Sequence, residues 1–367
     1  VIPLIVDLET EWRGGQNQVL LLLRGLYERG HAAELVAAHG SSLSHRAKKF
    51  GIYVHSASRN LLRVSAARKI RWLLKNDRFD LVHVNEAHAL TAAWLAGAHK
   101  RLPLLSSRRI GFPLQQNWAS KARFRALDCF VANSKNVAQS LIESGFPAGR
   151  VAVVNEGVEI PKRTSPEDRK NARILWGVAD NEFLFGCASA FVPEKGQQHL
   201  VEALRLVKES FPNARLLLAG AGKCLPEVRD LSARLDLQQA VLLPGFVKNM
   251  HEFYSALDAF VFPSEFEGLG TALQAAMAYA LPVISTTRGA LGEVIEDGRT
   301  AIVAEPDAKS FASAMVRLAS EPELQKQLAE AGRKEVIERF SADRMVENTL
   351  SLYERSIGLA ADVPTDS

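Results

Sequence analysis

Residues 263–271 read Pro-Ser-Glu-Phe-Glu-Gly-Leu-Gly-Thr and lie between an apolar run at 259–262 and a helical stretch at 272–280. A glycine-containing loop that opens a helix leaves unpaired amides at the positive end of the helix dipole, which makes an anion site. A diphosphate suits such a site. Glu267 would not hold phosphate there, but its carboxylate accepts hydrogen bonds from sugar hydroxyls. Residues 192–200, Val-Pro-Glu-Lys-Gly-Gln-Gln-His-Leu, also run from a strand into a helix. Lys195 in this stretch suits the neutralisation of a leaving diphosphate, where negative charge grows as a sugar departs. Glu194 beside it suits a surface cation. The third stretch is Trp12-Arg13-Gly14-Gly15-Gln16. Its paired glycines either let the backbone approach a ligand at a helix start or make a tight turn.

The elements that must position these stretches alternate between apolar runs and amphipathic helical segments, the pattern of parallel sheets with crossover helices. In the first half, residues 3–7, 33–37, 80–84, 103–106, 129–132 and 151–154 read as strands, with a helix at 16–29. Residues 158–168 form a break that is polar or proline-rich. A second series follows, with strands at 183–188, 214–219, 241–243, 259–262 and 282–285. The expected fold is α/β: two Rossmann-like, doubly wound domains facing each other across a cleft, at 1–160 and 161–358. Open parallel sheets bind ligands beyond the carboxyl ends of their strands. The last helix, near 342–353, reads either as a cap on the second domain or as a tie back to the first. Residues 359–367 read as a frayed tail.

With 47% hydrophobic and 23% charged residues over 367 positions, the composition is that of a globular chain long enough for two cores. Cys129, Cys187 and Cys224 lie far apart, without metal spacing and too few for a disulfide framework. No apolar run reaches the roughly 18 residues that a membrane span needs. The opening Val-Ile-Pro-Leu-Ile-Val is expected to be a buried strand, not a signal peptide. A cytoplasmic location follows as the expectation. Residues 1–160 carry 22 Lys and Arg against 12 Asp and Glu, and the remainder 23 against 29. A basic front half beside an acidic rear half suggests different partners. Anionic membrane lipid, an anionic acceptor or nucleic acid would each suit the front half.

Taken in order, these stretches resemble the nucleotide-sugar glycosyltransferases of the GT-B fold, in particular glycosyltransferase family four, over nearly the whole chain. The Gly14-Gly15 loop is similar to that family's first glycine loop. Asp80-Leu81-Val82-His83-Val84 resembles its strand ending in histidine, and Val154-Asn155-Glu156-Gly157-Val158 the segment that ends its first domain. Pro193-Glu194-Lys195-Gly196 resembles its phosphate-binding lysine motif. Residues 216–222 and Leu243-Pro244-Gly245-Phe246 resemble its second-domain strands, and residues 263–270 its donor-sugar loop.

The resemblance implies a retaining transfer from a nucleoside-diphosphate sugar, with no cofactor beyond that co-substrate and no bound metal. No Asp-x-Asp motif occurs in the chain. Carried over residue by residue, Lys195 holds the diphosphate and Glu267 the donor sugar. The amides of Gly268, Leu269, Gly270 and Thr271 meet phosphate. Backbone near Phe246 and Val247 meets the base, and Gly14 and Gly15 admit donor phosphate and acceptor. Three positions depart from the family. Ala275 stands where a second glutamate usually binds ribose, with Gln274 beside it as an imperfect substitute. Ala190 replaces a frequent arginine. Asn85 replaces a second histidine, leaving His88 as a catalytic or acceptor-side group.

Bases and aromatic residues interleave on the front half. Arg46, Lys48 and Lys49 precede Phe50. Arg59, Arg63, Arg68, Lys69 and Arg71 surround Leu61, Leu62, Ile70 and Trp72, and Lys121, Arg123 and Arg125 lie near Trp118 and Phe124. Either these are solvated helix faces or the surface docks on anionic membrane beside a lipid-linked or lipopolysaccharide-type acceptor. Arg108 and Arg109 are candidates for holding an anionic acceptor. No nucleic-acid recognition module is visible. The expectation is a glycosyltransferase of bacterial surface-glycan or lipopolysaccharide assembly. The alternatives are a sugar-nucleotide binder of the same fold with weakened catalysis, and an epimerase or phosphorylase on that fold. A phosphorylase would need a lysine for pyridoxal phosphate, and none is evident.

Overall fold

The computed structural model describes residues 1–76, 78–115 and 117–358; the expected tail at 359–367 lies outside the described residues. The chain divides into two compact units, Val1–Gly157 with the C-terminal residues from Ala342 onward, and Val158–Ser341.

The first unit runs β1 (Pro3–Asp7), α1 (Gly14–Glu28), β2 (Glu34–Ala38), α2 (Ser42–Lys49), β3 (Tyr53–Ala57), α3 (Leu62–Leu73), β4 (Leu81–Val84), α4 (Ala87–Ala96), β5 (Leu104–Arg108), α5 (Trp118–Arg125), β6 (Cys129–Ala132), α6 (Lys135–Glu143) and β7 (Val151–Val153). The sheet is parallel, in the order β3-β2-β1-β4-β5-β6-β7. Every residue of β1 and β4 is buried, as expected of parallel strands covered on both faces. Successive side chains point to opposite faces. Leu4, Val6, Val82 and Val84 therefore join one core with Ala66, Ile70, Ala89 and Ala93. Ile5, Leu35, Leu81 and Leu105 join the other with Val19, Leu23 and Leu26.

The second unit repeats the plan. It runs α7 (Pro166–Leu175), β8 (Phe183–Ala188), α8 (Gln197–Val207), β9 (Ala214–Ala219), α9 (Leu225–Arg234), β10 (Val241–Gly245), α10 (Met250–Ala256), β11 (Ala259–Phe262), α11 (Thr271–Ala278), β12 (Val283–Ser285), β13 (Ile302–Val303), α12 (Ala308–Ser320) and α13 (Pro322–Arg339). Its parallel sheet has the order β10-β9-β8-β11-β12-β13. Both sheets thus have a switch point, at β1/β4 and at β8/β11, where crevices form beyond the carboxyl ends.

The boundary falls after Gly157, not after residue 160. The Val158 amide donates to Phe340 O at 2.9 Å, and Val158 is buried in the second unit's core. The final helix, α14 (Ala342–Ser356), belongs to the first unit. Its Met345, Val346, Leu352 and Tyr353 enter the core beside α1. Gly25 permits the close approach, since a Cβ there would stand 3.2 Å from Val346 Cβ. Strands β3 and β13 were not foreseen: β3 is an edge strand with polar residues, and β13 has two residues.

Candidate functional site

Each unit gathers polar groups at its own switch point. In the second, β8 and β11 are paired neighbours, so the loops that follow them meet. The Glu265 amide donates to Glu194 O at 2.9 Å, and a Cβ on Gly196 (φ +64) would lie 2.9 Å from Pro263 O. The Lys195 ammonium therefore lands on the Glu267 loop. It pairs with the Glu267 carboxylate and donates to Phe266 O at 3.2 Å and to Ser264 Oγ at 3.4 Å. Both charged side chains are largely covered, at 18% and 15% exposure, so the pair is screened less than a surface pair.

Helix α11 opens immediately beyond. Gly270 is its N-cap at φ +67, and no side chain caps the helix. Amides at an uncapped helix start need an acceptor, and an anion supplies one. Leu269 is buried beneath this opening. Phe246, exposed, and Val247, half-buried, follow β10, which β9 separates from β8. At the usual strand spacing that offset is about 10 Å.

Several residues that shape this site were not singled out from the sequence. Gln197 is buried and donates to Ser189 Oγ and Ala190 O, both at 2.8 Å, fixing the turn before Lys195. Thr286 Oγ1 donates to Ser264 O at 2.5 Å. Gly289 (φ +65) lies under Glu267: a Cβ there would overlap the Glu267 carbonyl oxygen and stand 2.9 Å from its amide nitrogen. The Ala290 amide donates to Glu267 O at 3.2 Å. Glycine among polar residues after a strand was the available signal, but its contact is nonlocal. Gln274 is corrected as a ribose substitute. It is fully buried, with Nε2 donating to Leu269 O at 3.3 Å.

In the first unit, Asp7 ends β1, buried, and accepts from Gln16 Nε2 at 3.1 Å and from the Glu9 amide at 3.1 Å. Burial raises its carboxyl pKa, against the Gln16 hydrogen bond and the Arg109 charge. Glu86 caps α4, accepting from Leu8 N at 3.1 Å, Ala89 N at 2.7 Å and His88 N. Burial outweighs those bonds and pushes its pKa up to about 7. Glu9, Glu86 and His88 each offer one ligand atom within 4.8 Å of the others. Among the described residues this is the group able to hold a divalent ion. The exposed His88 already accepts at Nδ1 from Arg63 Nε at 2.8 Å.

A Cβ on Gly14 would meet nothing within 4 Å, and one on Gly15 would touch Arg109 Cδ at 3.8 Å. Arg109 donates to Glu156 Oε1 at 2.8 Å, Asn85 O at 3.0 Å and Asn85 Oδ1 at 3.1 Å. It therefore braces the glycine loop against the end of the unit. Arg108 donates to Phe112 O at 2.7 Å. His83 is buried, with Nδ1 2.6 Å from Tyr353 Oη and Nε2 2.8 Å from Ser107 Oγ. Burial lowers its pKa to about 3, so it stays neutral and fastens α14 to the sheet.

Residues 168–335 match the family described as glycosyl transferases group 1, and residues 12–161 match glycosyltransferase family 4. EpsD of Bacillus subtilis, named as a glycosyltransferase, is 27% identical over 336 residues, covering 87% of this chain and 88% of that protein. The lipopolysaccharide core biosynthesis glycosyltransferase LpsE of Rhizobium meliloti is 23% identical, covering 92% and 95%. The crystal structure of Anabaena Alr3699/HepE in complex with UDP and glucose superimposes with a TM-score of 0.84 at 20% identity, covering 95% and 98%. No helix among the described residues is long and apolar enough to cross a membrane.

Proposed function

We propose that this chain, a glycosyltransferase of the GT-B fold resembling family four, moves a sugar from a nucleoside-diphosphate sugar to a glycan or lipid-linked hydroxyl with retention of configuration. The process served is bacterial surface-glycan or lipopolysaccharide assembly, in line with the kinship to LpsE. One observation carries the reading: the Lys195 ammonium meets the Glu267 loop at the uncapped opening of α11. A diphosphate at that opening takes the ammonium from Glu267, whose carboxylate turns to the sugar hydroxyls. The Gly268, Leu269, Gly270 and Thr271 backbone faces the phosphates, and Phe246 and Val247 face the base. UDP is the first nucleotide to test, because HepE binds it.

In the reaction the bond from the anomeric carbon to the phosphate oxygen breaks, and the acceptor hydroxyl oxygen bonds to that carbon on the same face. The acceptor proton passes to the departing phosphate. The chain orients the two and stabilises the growing charge, without a bound metal. His88, with Gly14 and Gly15, serves the acceptor side. The partners are a nucleotide-sugar donor, the acceptor and an anionic membrane surface at the cytoplasmic face, with no nucleic acid.

Thermal shift against nucleoside diphosphates and their sugars tests the reading through ligand linkage. At least one nucleoside diphosphate stabilises the protein, Lys195→Ala abolishes that response, and slow donor hydrolysis disappears in Glu267→Ala. Absence of any response sinks it. The burial of Gln274 beside Ala275 favours a second reading, a sugar-nucleotide binder with weakened catalysis. Tight binding without hydrolysis identifies that case.

A further inference from the structure

The first unit carries an exposed apolar and basic rim at the same carboxyl end of its parallel sheet as Glu9, Glu86 and His88. No Asp or Glu occurs between Glu34 and Asp77, or between Glu86 and Asp128. Those two stretches fold side by side. Helix α3 packs on α4, where Arg71 Nη2 donates to Leu95 O at 2.7 Å, and α5 meets α4 through Arg123 Nη1 and Thr91 Oγ1 at 2.5 Å. The result is a contiguous α3–α4–α5 face without a carboxylate from either stretch.

Large apolar side chains stand out from this face toward water. After β3, Leu61 is 79% exposed, in the left-handed region at φ +50. After β5, Ile110 and Phe112 are exposed and Trp118 is 81% exposed. In the sheet order, β5 is next to β4 on one side of the β1/β4 pair, and β3 lies beyond β2 on the other. The apolar groups therefore bracket the polar site on both sides. Behind Leu61 lies a hollow of about 420 Å³ walled by Val64 and Trp72 and by Arg68 and Lys69. Exposed Lys121 and Arg125 continue the positive charge on α5.

Exposed Leu, Phe and Trp among cations, beside helices α3, α4 and α5 that carry no Asp or Glu of their own, match a negatively charged bilayer surface: apolar tips enter the acyl boundary and cations meet head groups. We infer that Leu61, Ile110, Phe112 and Trp118 insert into an anionic bilayer while Arg68, Lys69, Lys121 and Arg125 hold its phosphates. This docking would bring a lipid-linked acceptor's sugar to Glu9, Glu86 and His88. The inference rests on the acceptor-side reading above and refines its membrane partner into named residues. Arg46 and Phe124 are left out of it. Arg46 stacks on Trp12 at 4.1 Å, and Phe124 packs on Phe130.

Flotation with vesicles of phosphatidylcholine, with and without about one-third phosphatidylglycerol, tests it on the full chain. The protein floats with the anionic vesicles only, and less as salt rises. Phe112→Ser with Trp118→Ser, and separately Arg68→Glu with Lys69→Glu, each weaken binding roughly tenfold or more. Lys309→Glu, on the second unit, does not. Donor hydrolysis is unchanged in all of them. No flotation at low salt, equal binding to neutral vesicles, or full binding by the Phe112 and Trp118 variant overturns the inference. Flotation without donor hydrolysis would instead defeat the transferase reading and leave the rim intact.

Discussion

Replacing Gly289 with alanine should damage the second unit through one contact. At φ +65 an alanine pays about 1–2 kcal/mol for left-handed backbone. Its Cβ also overlaps the Glu267 carbonyl, and moving that backbone costs a further 1–3 kcal/mol or so. Reduced unfolded-state entropy returns about 0.4–1 kcal/mol. The net loss is about 1–5 kcal/mol. Gly298 is the internal control: its φ is +70, but a Cβ there meets nothing within 4 Å. Gly298→Ala should therefore cost about 1.5 kcal/mol or less. Chemical denaturation of both variants measures the difference. The displaced backbone is that of Glu267, so Gly289→Ala should also weaken binding of the nucleotide sugar at least tenfold, more than it weakens binding of the nucleotide alone. Equal stabilities, or unchanged sugar-nucleotide affinity in Gly289→Ala, would refute the claim that residue 289 sets the Glu267 loop.

Ala280 also sits in the left-handed region, at φ +57. Ala280→Gly should stabilise the protein by about 0.5–1 kcal/mol in the same denaturation assay. Tyr353→Phe removes the partner of buried His83 Nδ1 and should cost about 1–3 kcal/mol, with faster hydrogen exchange in α14. Glu86 titrates near 7 in the folded chain against 4.5 for an ordinary glutamate. The folded state holds the proton more tightly, so this group's contribution to stability falls as pH rises from 4.5 to 7, by roughly 3 kcal/mol. Glu86→Gln should flatten that slope in denaturation curves taken across this range.

The sequence by itself determined the local pieces. Apolar runs at 3–7, 129–132, 183–188, 214–219 and 259–262 became strands with those limits, because buried parallel strands announce themselves as short apolar runs. Glycines, Lys195 and Glu267 were visible at strand ends because turn and helix-start chemistry is local. The polar edge strand β3 was not visible, since its pairing with β2 fixes it and not its own pattern. What only the tertiary structure decided was which distant groups share a point. Lys195 and Glu267 are 72 residues apart and meet because β8 and β11 are neighbours in the sheet. His83 finds Tyr353 across 270 residues because α14 returns to the first unit. Gln274 turns into the core and Gly289 slips beneath Glu267 for the same reason. Packing chooses partners by shape and by unmet hydrogen bonds, and neither is written in the spacing of residues along the chain.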